Sequence, residues 1–265
     1  MADIQSLRAN GLDVACRVEG PPDAPAVLLV HGILTDHRIW DAIATRLVPQ
    51  FRVVRYDLRG HGGSSAPPGP YTMAQLADDV PALLDALGIA RVHFIGSSLG
   101  GMIGQQVGAR HADRLLTLTL ANTAAVQGAP AAWEERVAVA RSKGVAALAD
   151  PTLQRWFTPG FRATHPEEIE RVKALLLGTS VEGFAGCAMA VRDLAQLDLL
   201  PRIKVPALVV VGSEDGATPP ALGRQIADAI PGASLVTIEA AHQAAAEQPQ
   251  VFCQAWRKFA AGAPA

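Results

Sequence analysis

Six short apolar runs, at 26–30, 52–56, 92–95, 115–120, 208–211 and 234–238, recur along the chain with helical segments between them. The runs are largely apolar and β-branched, the pattern of strands buried on both faces of a parallel sheet. Helical spacing occupies 40–47, 73–87 after Thr72, the stretch that opens at Leu99, 221–230 and 249–260. Strand and helix in alternation imply a wound α/β sheet, mostly parallel and flanked by helices. A hairpin precedes it, with 4–8 and 13–18 joined through Asn10-Gly11, a pair suited to a tight two-residue turn. The chain has 265 residues, of which 49% are hydrophobic and 18% charged. That suffices for one α/β domain with an insertion and excludes a disordered chain.

The alternation stops once. Between Leu120 and the run at Leu208 lie roughly 80 residues with helical patterning and no convincing strand, too many for a structureless loop. Pro130, Pro151, Pro159 and Pro166 divide them into short helices that include Trp133 and Trp156. The expected division is a core of 1–121 and 201–265 with a helical cap of 122–200. The net charge is −2 with no basic block, which argues against nucleic acid or an anionic membrane surface as partner. No run reaches the about 18 apolar residues that span a bilayer, and the N-terminus lacks a basic start followed by an apolar stretch. Cys16, Cys187 and Cys253 are far apart and in no C-x-x-C pair, so they read as core thiols of a reduced compartment. A cytoplasmic protein is expected.

The strongest chemical signal is Gly96-Ser97-Ser98-Leu99-Gly100, a G-x-S-x-G pattern placed between a strand and a helix. Gly96 and Gly100 remove Cβ atoms where strand and helix cross, so the Ser98 hydroxyl projects clear of the sheet. A serine needs a base. Of seven histidines, His242 alone follows a late strand and precedes the last helix, at the sheet edge where Ser98 emerges. His93 lies inside a strand, and His111 and His165 lie on helical or cap segments. Asp215 follows the run 208–211 and is the expected orienting carboxylate, ahead of its neighbour Glu214. The order Ser, Asp, His fits a strand–turn–helix nucleophile on such a sheet. The oxyanion donors expected are the N–H groups of Leu99 and of Ile33, in the loop His31-Gly32-Ile33-Leu34. The His31 side chain reads as a packing and hydrogen-bonding group beneath that loop. The segment 57–64 reads as a Gly-rich turn held by Asp57 and Arg59. No metal-ligand spacing is present, since His31 and His37 lack a third partner, and no metal or cofactor is expected.

These residues, together with Trp40 and the segment 57–64, resemble the α/β-hydrolase superfamily over essentially the whole chain. The closer likeness is to 3-oxoadipate enol-lactonases. It rests on Tyr71-Thr72, on Asn122-Thr123-Ala124-Ala125 and on 146–158, which holds Arg155-Trp156-Phe157-Thr158. Gly183-Phe184-Ala185-Gly186-Cys187 and Ala217-Thr218-Pro219-Pro220 add to it. The resemblance implies cofactor-free hydrolysis of an enol-lactone ring in aromatic degradation. Members of that family often carry a basic residue just after the Asn-Thr-Ala-Ala segment, where this chain has Val126-Gln127. A substrate carboxylate then calls for a cap cation, with Arg136, Arg141, Arg155 and Arg162 as candidates. Trp133 and Trp156 are candidates to line the substrate pocket or to form the core of the cap.

The expected function is therefore a serine hydrolase acting on a carboxylic ester or lactone. A broad carboxylesterase and a non-catalytic small-ligand-binding protein of the same fold are the alternatives. The expected partner is the small-molecule substrate, and the expected state is a monomer or small homo-oligomer.

Overall fold

The computed structural model describes residues 3–263. Among these residues eight strands form one sheet in the order β1-β2-β4-β3-β5-β6-β7-β8. The hairpin consists of β1 (Gln5–Ala9) and β2 (Leu12–Glu19). Its turn residues Asn10 and Gly11 have φ of 47° and 75°, the left-handed geometry of a two-residue hairpin that twists with its strands. β2 runs antiparallel to β4 (Arg52–Tyr56). From there β3 (Ala26–Val30), β5 (Val92–Ser97), β6 (Leu115–Ala121), β7 (Ala207–Gly212) and β8 (Ser234–Ile238) are all parallel.

Every residue of β3 and β7 is buried, as a central parallel strand requires. The sixth run behaves differently. β8 is the sheet edge, and only Ile238 of its five residues is buried; its apolar side chains are not a guide to two-sided burial there.

Among the described residues eleven α-helices flank or cap the sheet: α1 (Asp41–Leu47), α2 (Met73–Ala86), α3 (Leu99–Arg110), α4 (Pro130–Lys143), α5 (Ala149–Trp156), α6 (Pro159–Thr164), α7 (Pro166–Leu177), α8 (Val181–Arg192), α9 (Pro220–Ala229), α10 (Ala244–Glu247) and α11 (Pro249–Ala261). No single helix among the described residues is long and apolar enough to cross a membrane. Helix α3 packs on β5 and β6 through glycines. A Cβ at Gly104 would stand 2.7 Å from Phe94 Cε1, and one at Gly108 2.7 Å from Leu118 Cδ2. Cys16, Cys187 and Cys253 are buried free thiols.

Helices α4–α8 all fall between β6 and β7, with α4 packed on α8 and α5 on α7. The two ends of the insertion are laced together. Val126 pairs antiparallel with Ala195, while Gln127 N–H donates to Leu194 O at 3.0 Å and Gln196 N–H to Ala125 O at 2.7 Å. At the other side the N-terminus of α8 meets the turn 57–64 backbone to backbone, since a Cβ on Gly60 would lie 2.3 Å from Gly183 Cα.

That turn differs in one respect from the sequence expectation. Asp57 does hold it, with Oδ2 accepting Gly63 N–H at 2.9 Å. Arg59 instead leaves the turn and forks onto Asp79 of α2 at 2.7 and 3.0 Å. A guanidinium has five donors in a planar fork, and a buried carboxylate satisfies them better than a turn carbonyl.

Strand β3 leads outward to β4, and the chain then crosses to β5 on the other side of β3. The strand order reverses at this point, and crevices outside the carboxyl ends of strands at such a reversal accept ligands.

Candidate active site

Ser98 occupies the turn between β5 and α3 with φ 54° and ψ −117°. This is strained for a residue with a Cβ, and such strain persists only where surrounding contacts fix it. Ser98 N–H donates to Ala121 O at 2.9 Å, and Thr123 Oγ1 donates to Ser98 O at 2.7 Å. The flanking glycines admit the crossing: a Cβ on Gly96 would fall 2.2 Å from Gly100 O, and one on Gly100 2.2 Å from Val30 O.

The loop after β3 comes up against Ser98. A Cβ on Gly32 would lie 3.1 Å from Ser98 Cβ and 3.6 Å from its Oγ. Gly32 O accepts Thr35 Oγ1–H at 2.8 Å and lies 2.7 Å from His31 Nδ1. Because a trans peptide points its N–H opposite to its C=O, tying down Gly32 O fixes the direction of Ile33 N–H. Neither Ile33 N–H nor Leu99 N–H has a hydrogen-bond partner among the described residues.

His31 works from beneath the loop. Its Nε2 accepts Leu58 N–H at 2.9 Å, and burial, which outweighs the nearby Asp57 charge, lowers its pKa, so the ring is neutral and Nδ1–H is the donor to Gly32 O. Its neighbour His61 accepts Leu34 N–H at 3.2 Å, and burial reinforced by His31 lowers its pKa to about 3.

Asp215 follows β7 and His242 follows β8, both buried. His242 Nδ1 lies 2.9 Å from Asp215 Oδ2 and 3.1 Å from Oδ1. Asp215 also accepts the N–H groups of Ala217 and Thr218, both at 2.8 Å, the Thr218 hydroxyl at 2.8 Å and Asn122 Nδ2 at 3.1 Å. Burial alone would raise its pKa, but the His242 charge and these hydrogen bonds outweigh burial and hold the carboxyl at about 2. Glu214 is exposed and has no part in this network. Nδ1 is thus occupied, and His242 turns its other nitrogen to a cavity shared with Ser98. Ser98 and His242 both line this cavity with no hydrogen bond between them; bonds between a nucleophile and its base commonly tighten only in the substrate complex.

The cavity is about 390 Å³, the size of a small-molecule site. Ile33, Leu99 and Met102 line it from the core, and Val126, Gln127, Trp133, Arg136, Arg155 and Trp156 from the cap. Both tryptophans named from the sequence reach it. Trp156 stacks on His242, centroids 6.1 Å apart at 30°.

Of the four candidate arginines, Arg136 and Arg155 line the cavity; Arg141 and Arg162 do not. Arg136 lies over Trp133 at 4.5 Å and Phe184 at 5.7 Å, with one long contact to Thr152 Oγ1 at 3.4 Å. No carboxylate pairs with it among the described residues. Burial, and then the charge of Arg155, lowers its pKa to about 10.

Away from this cavity His37 does gather partners. Asp36, His37 and Asp57 bring ligand atoms within 4.8 Å of one another. These atoms are already engaged: His37 Nδ1 binds Asp57 at 2.7 Å, and Asp36 binds Arg38 at 2.6 Å. Asp57 sits at about 2, burial being outweighed by the His37 hydrogen bond and the charges of His31 and His37.

Sequence reasoning missed Asn122 and Thr218 as partners of Asp215. Asn122 has φ 45° directly after β6, and an Asn at a strand end was the available signal.

A family profile described as alpha/beta hydrolase fold matches residues 25–249. The chain is 37% identical over 247 residues to 3-oxoadipate enol-lactonase 2 of Acinetobacter baylyi, covering 93% of this chain and 92% of that one. The enol-lactonase of Burkholderia xenovorans LB400 superposes with a TM-score of 0.94 at 40% identity, over 96% of this chain and 99% of that one. A thermophilic esterase from Thermogutta terrifontis, in its malate-bound form, gives 0.90 at 32% identity over 97% and 98%. Fold, matched span and identity agree, and the chain belongs to the α/β-hydrolase family.

Proposed function

We propose that this protein is a carboxylic ester hydrolase that opens 3-oxoadipate enol-lactone through an acyl-enzyme on Ser98. The observation that carries the substrate choice is Arg136, a half-buried guanidinium without a protein carboxylate, in the cavity that Ser98 and His242 share. An unpaired cation at such a position is costly unless the ligand supplies the anion. A lactone with a carboxylate tail does so, and Arg155 adds a second positive charge at the rim. Enol-lactonase relatives over most of the chain support the same reading.

In this mechanism His242 Nε2 takes the Ser98 proton as Oγ attacks the ring carbonyl carbon. The developing oxyanion accepts the N–H groups of Ile33 and Leu99. Collapse breaks the ring C–O bond, and His242 returns its proton to the departing enol oxygen, which stays tethered to the acyl chain. Water activated by His242 then cleaves the ester to Ser98 and regenerates the hydroxyl. Asp215 holds the imidazole tautomer throughout. On this reading the reaction is a step in the cytoplasmic degradation of aromatic compounds, which the likeness to enol-lactonases supports, and the enzyme works as a monomer or small homo-oligomer.

The test is a pair of progress curves, on 3-oxoadipate enol-lactone and on p-nitrophenyl acetate, with wild type, Ser98→Ala and Arg136→Met. Wild type is expected to favour the lactone strongly, and Ser98→Ala to lose both activities while remaining folded. Arg136→Met is expected to lose about 10- to 100-fold in kcat/KM on the lactone, the value of a hydrogen bond between charged groups, and far less on the acetate. Rapid acetate turnover with feeble lactone opening would instead make this a broad carboxylesterase.

A further inference from the structure

Glu247, the last residue of α10, is a buried carboxylate that the proposed mechanism does not use. Its Oε1 accepts Ala241 N–H at 2.8 Å. Its Oε2 accepts the Thr158 hydroxyl at 2.7 Å and Thr158 N–H at 3.3 Å. No cation pairs with it among the described residues. The carbonyl of Ala241 is held as well, accepting Asn122 Nδ2 at 3.2 Å from the same amide that reaches Asp215. Both peptide groups of the residue before His242 are therefore anchored, one to the end of β6 through Asn122 and one to the cap segment through Glu247.

Thr158 ends the cap segment Trp156-Phe157-Thr158, and this segment touches the histidine loop twice more. Trp156 O accepts Gln243 N–H at 3.0 Å, and the Trp156 ring stacks on the imidazole while forming part of the cavity wall. Three donors converge on one carboxylate, a demand that a neutral amide cannot meet, because its NH2 would face a donor. We infer that Glu247 is a positioning residue that ties the loop carrying His242 to the cap wall formed by Trp156 and Thr158, so that the cap as well as Asp215 sets the place of the imidazole. The inference rests on the proposed role of His242 as base.

The experiment counts working sites by stoichiometric labelling of Ser98 with diisopropyl fluorophosphate and measures p-nitrophenyl acetate hydrolysis per labelled site. Glu247→Gln is expected to lower kcat about 10- to 100-fold with KM little changed, as a misplaced base does. Thr158→Val is expected to fall in the same direction and Thr158→Ser to keep the wild-type rate. The double variant Glu247→Gln/Thr158→Val is expected to be no slower than Glu247→Gln alone, since both cut one linkage. A kcat per labelled site unchanged in Glu247→Gln, with only the melting temperature reduced, overturns the inference. If that variant does not fold, an unchanged kcat in Thr158→Val overturns it. Wild-type protein that resists labelling and hydrolyses no faster than Ser98→Ala sinks the underlying reading of Ser98 and His242 first.

Discussion

Five donors converge on the Asp215 carboxylate: two backbone N–H groups, the Thr218 hydroxyl, the Asn122 amide and His242 Nδ1. An amide at this position would turn an NH2 toward at least one of them and offer the imidazole the wrong tautomer. Asp215→Asn is therefore expected to lower kcat by about 10⁴-fold with the fold retained; steady-state kinetics beside a circular dichroism spectrum checks it, and a loss below tenfold would remove Asp215 from the mechanism. The meeting of Ser98, Asp215 and His242 at one sheet edge was legible because each follows a recognisable strand in a fixed chain order. Asn122 and Glu247 were not, because their work is done across 93 and 89 positions of sequence separation, and only folding decides which donors meet which oxygen.

At the scale of elements, α3 shows how packing overrules propensity. Alanine is the better helix former by about 1 kcal/mol, yet at Gly104 its methyl would sit 2.7 Å from Phe94 and 3.0 Å from Leu120. Gly104→Ala is expected to destabilise the protein by about 1–3 kcal/mol, the usual cost of overpacking. Gly160, in α6, has open space where the Cβ would go. Gly160→Ala is expected to be neutral or to stabilise by up to about 1 kcal/mol, through lost freedom of the unfolded chain. Thermal melts of the two variants on one scale decide the matter, and equal melting temperatures would refute it. The strands were readable as elements from their apolar runs, but β8 was read as two-sided because composition reports hydrophobicity and not position in the sheet. Its place at the edge follows from the crossover order, which a local pattern does not carry.

At the scale of the molecule, two buried carboxylates tie folding to pH. Asp57 and Asp215 both sit at about 2 in the folded state against an ordinary value of 3.8. Between those values the unfolded chain binds protons that the folded one does not. The stability these groups contribute is thus complete above about pH 4 and is lost as the pH falls toward 2, at roughly 2 kcal/mol for each. A melting temperature that drops over this window, and drops less steeply in Asp57→Asn, is the expected result; a flat profile would contradict it. The helical character of the insertion was plain from the sequence, since no run within it reads as a strand. Its lacing at Val126 and Ala195 was not, because one bridge between two loop residues leaves no periodic trace. The joint between Gly60 and Gly183 has a consequence for anyone who wishes to change what this enzyme accepts. With main chain resting on main chain there, neither position tolerates a side chain, and a library that varies them would be mostly dead. The cavity-lining side chains of Ala132, Trp133, Arg136 and Arg155 stand clear of that joint, so the route to new substrates is to recast those walls and leave the mounting alone.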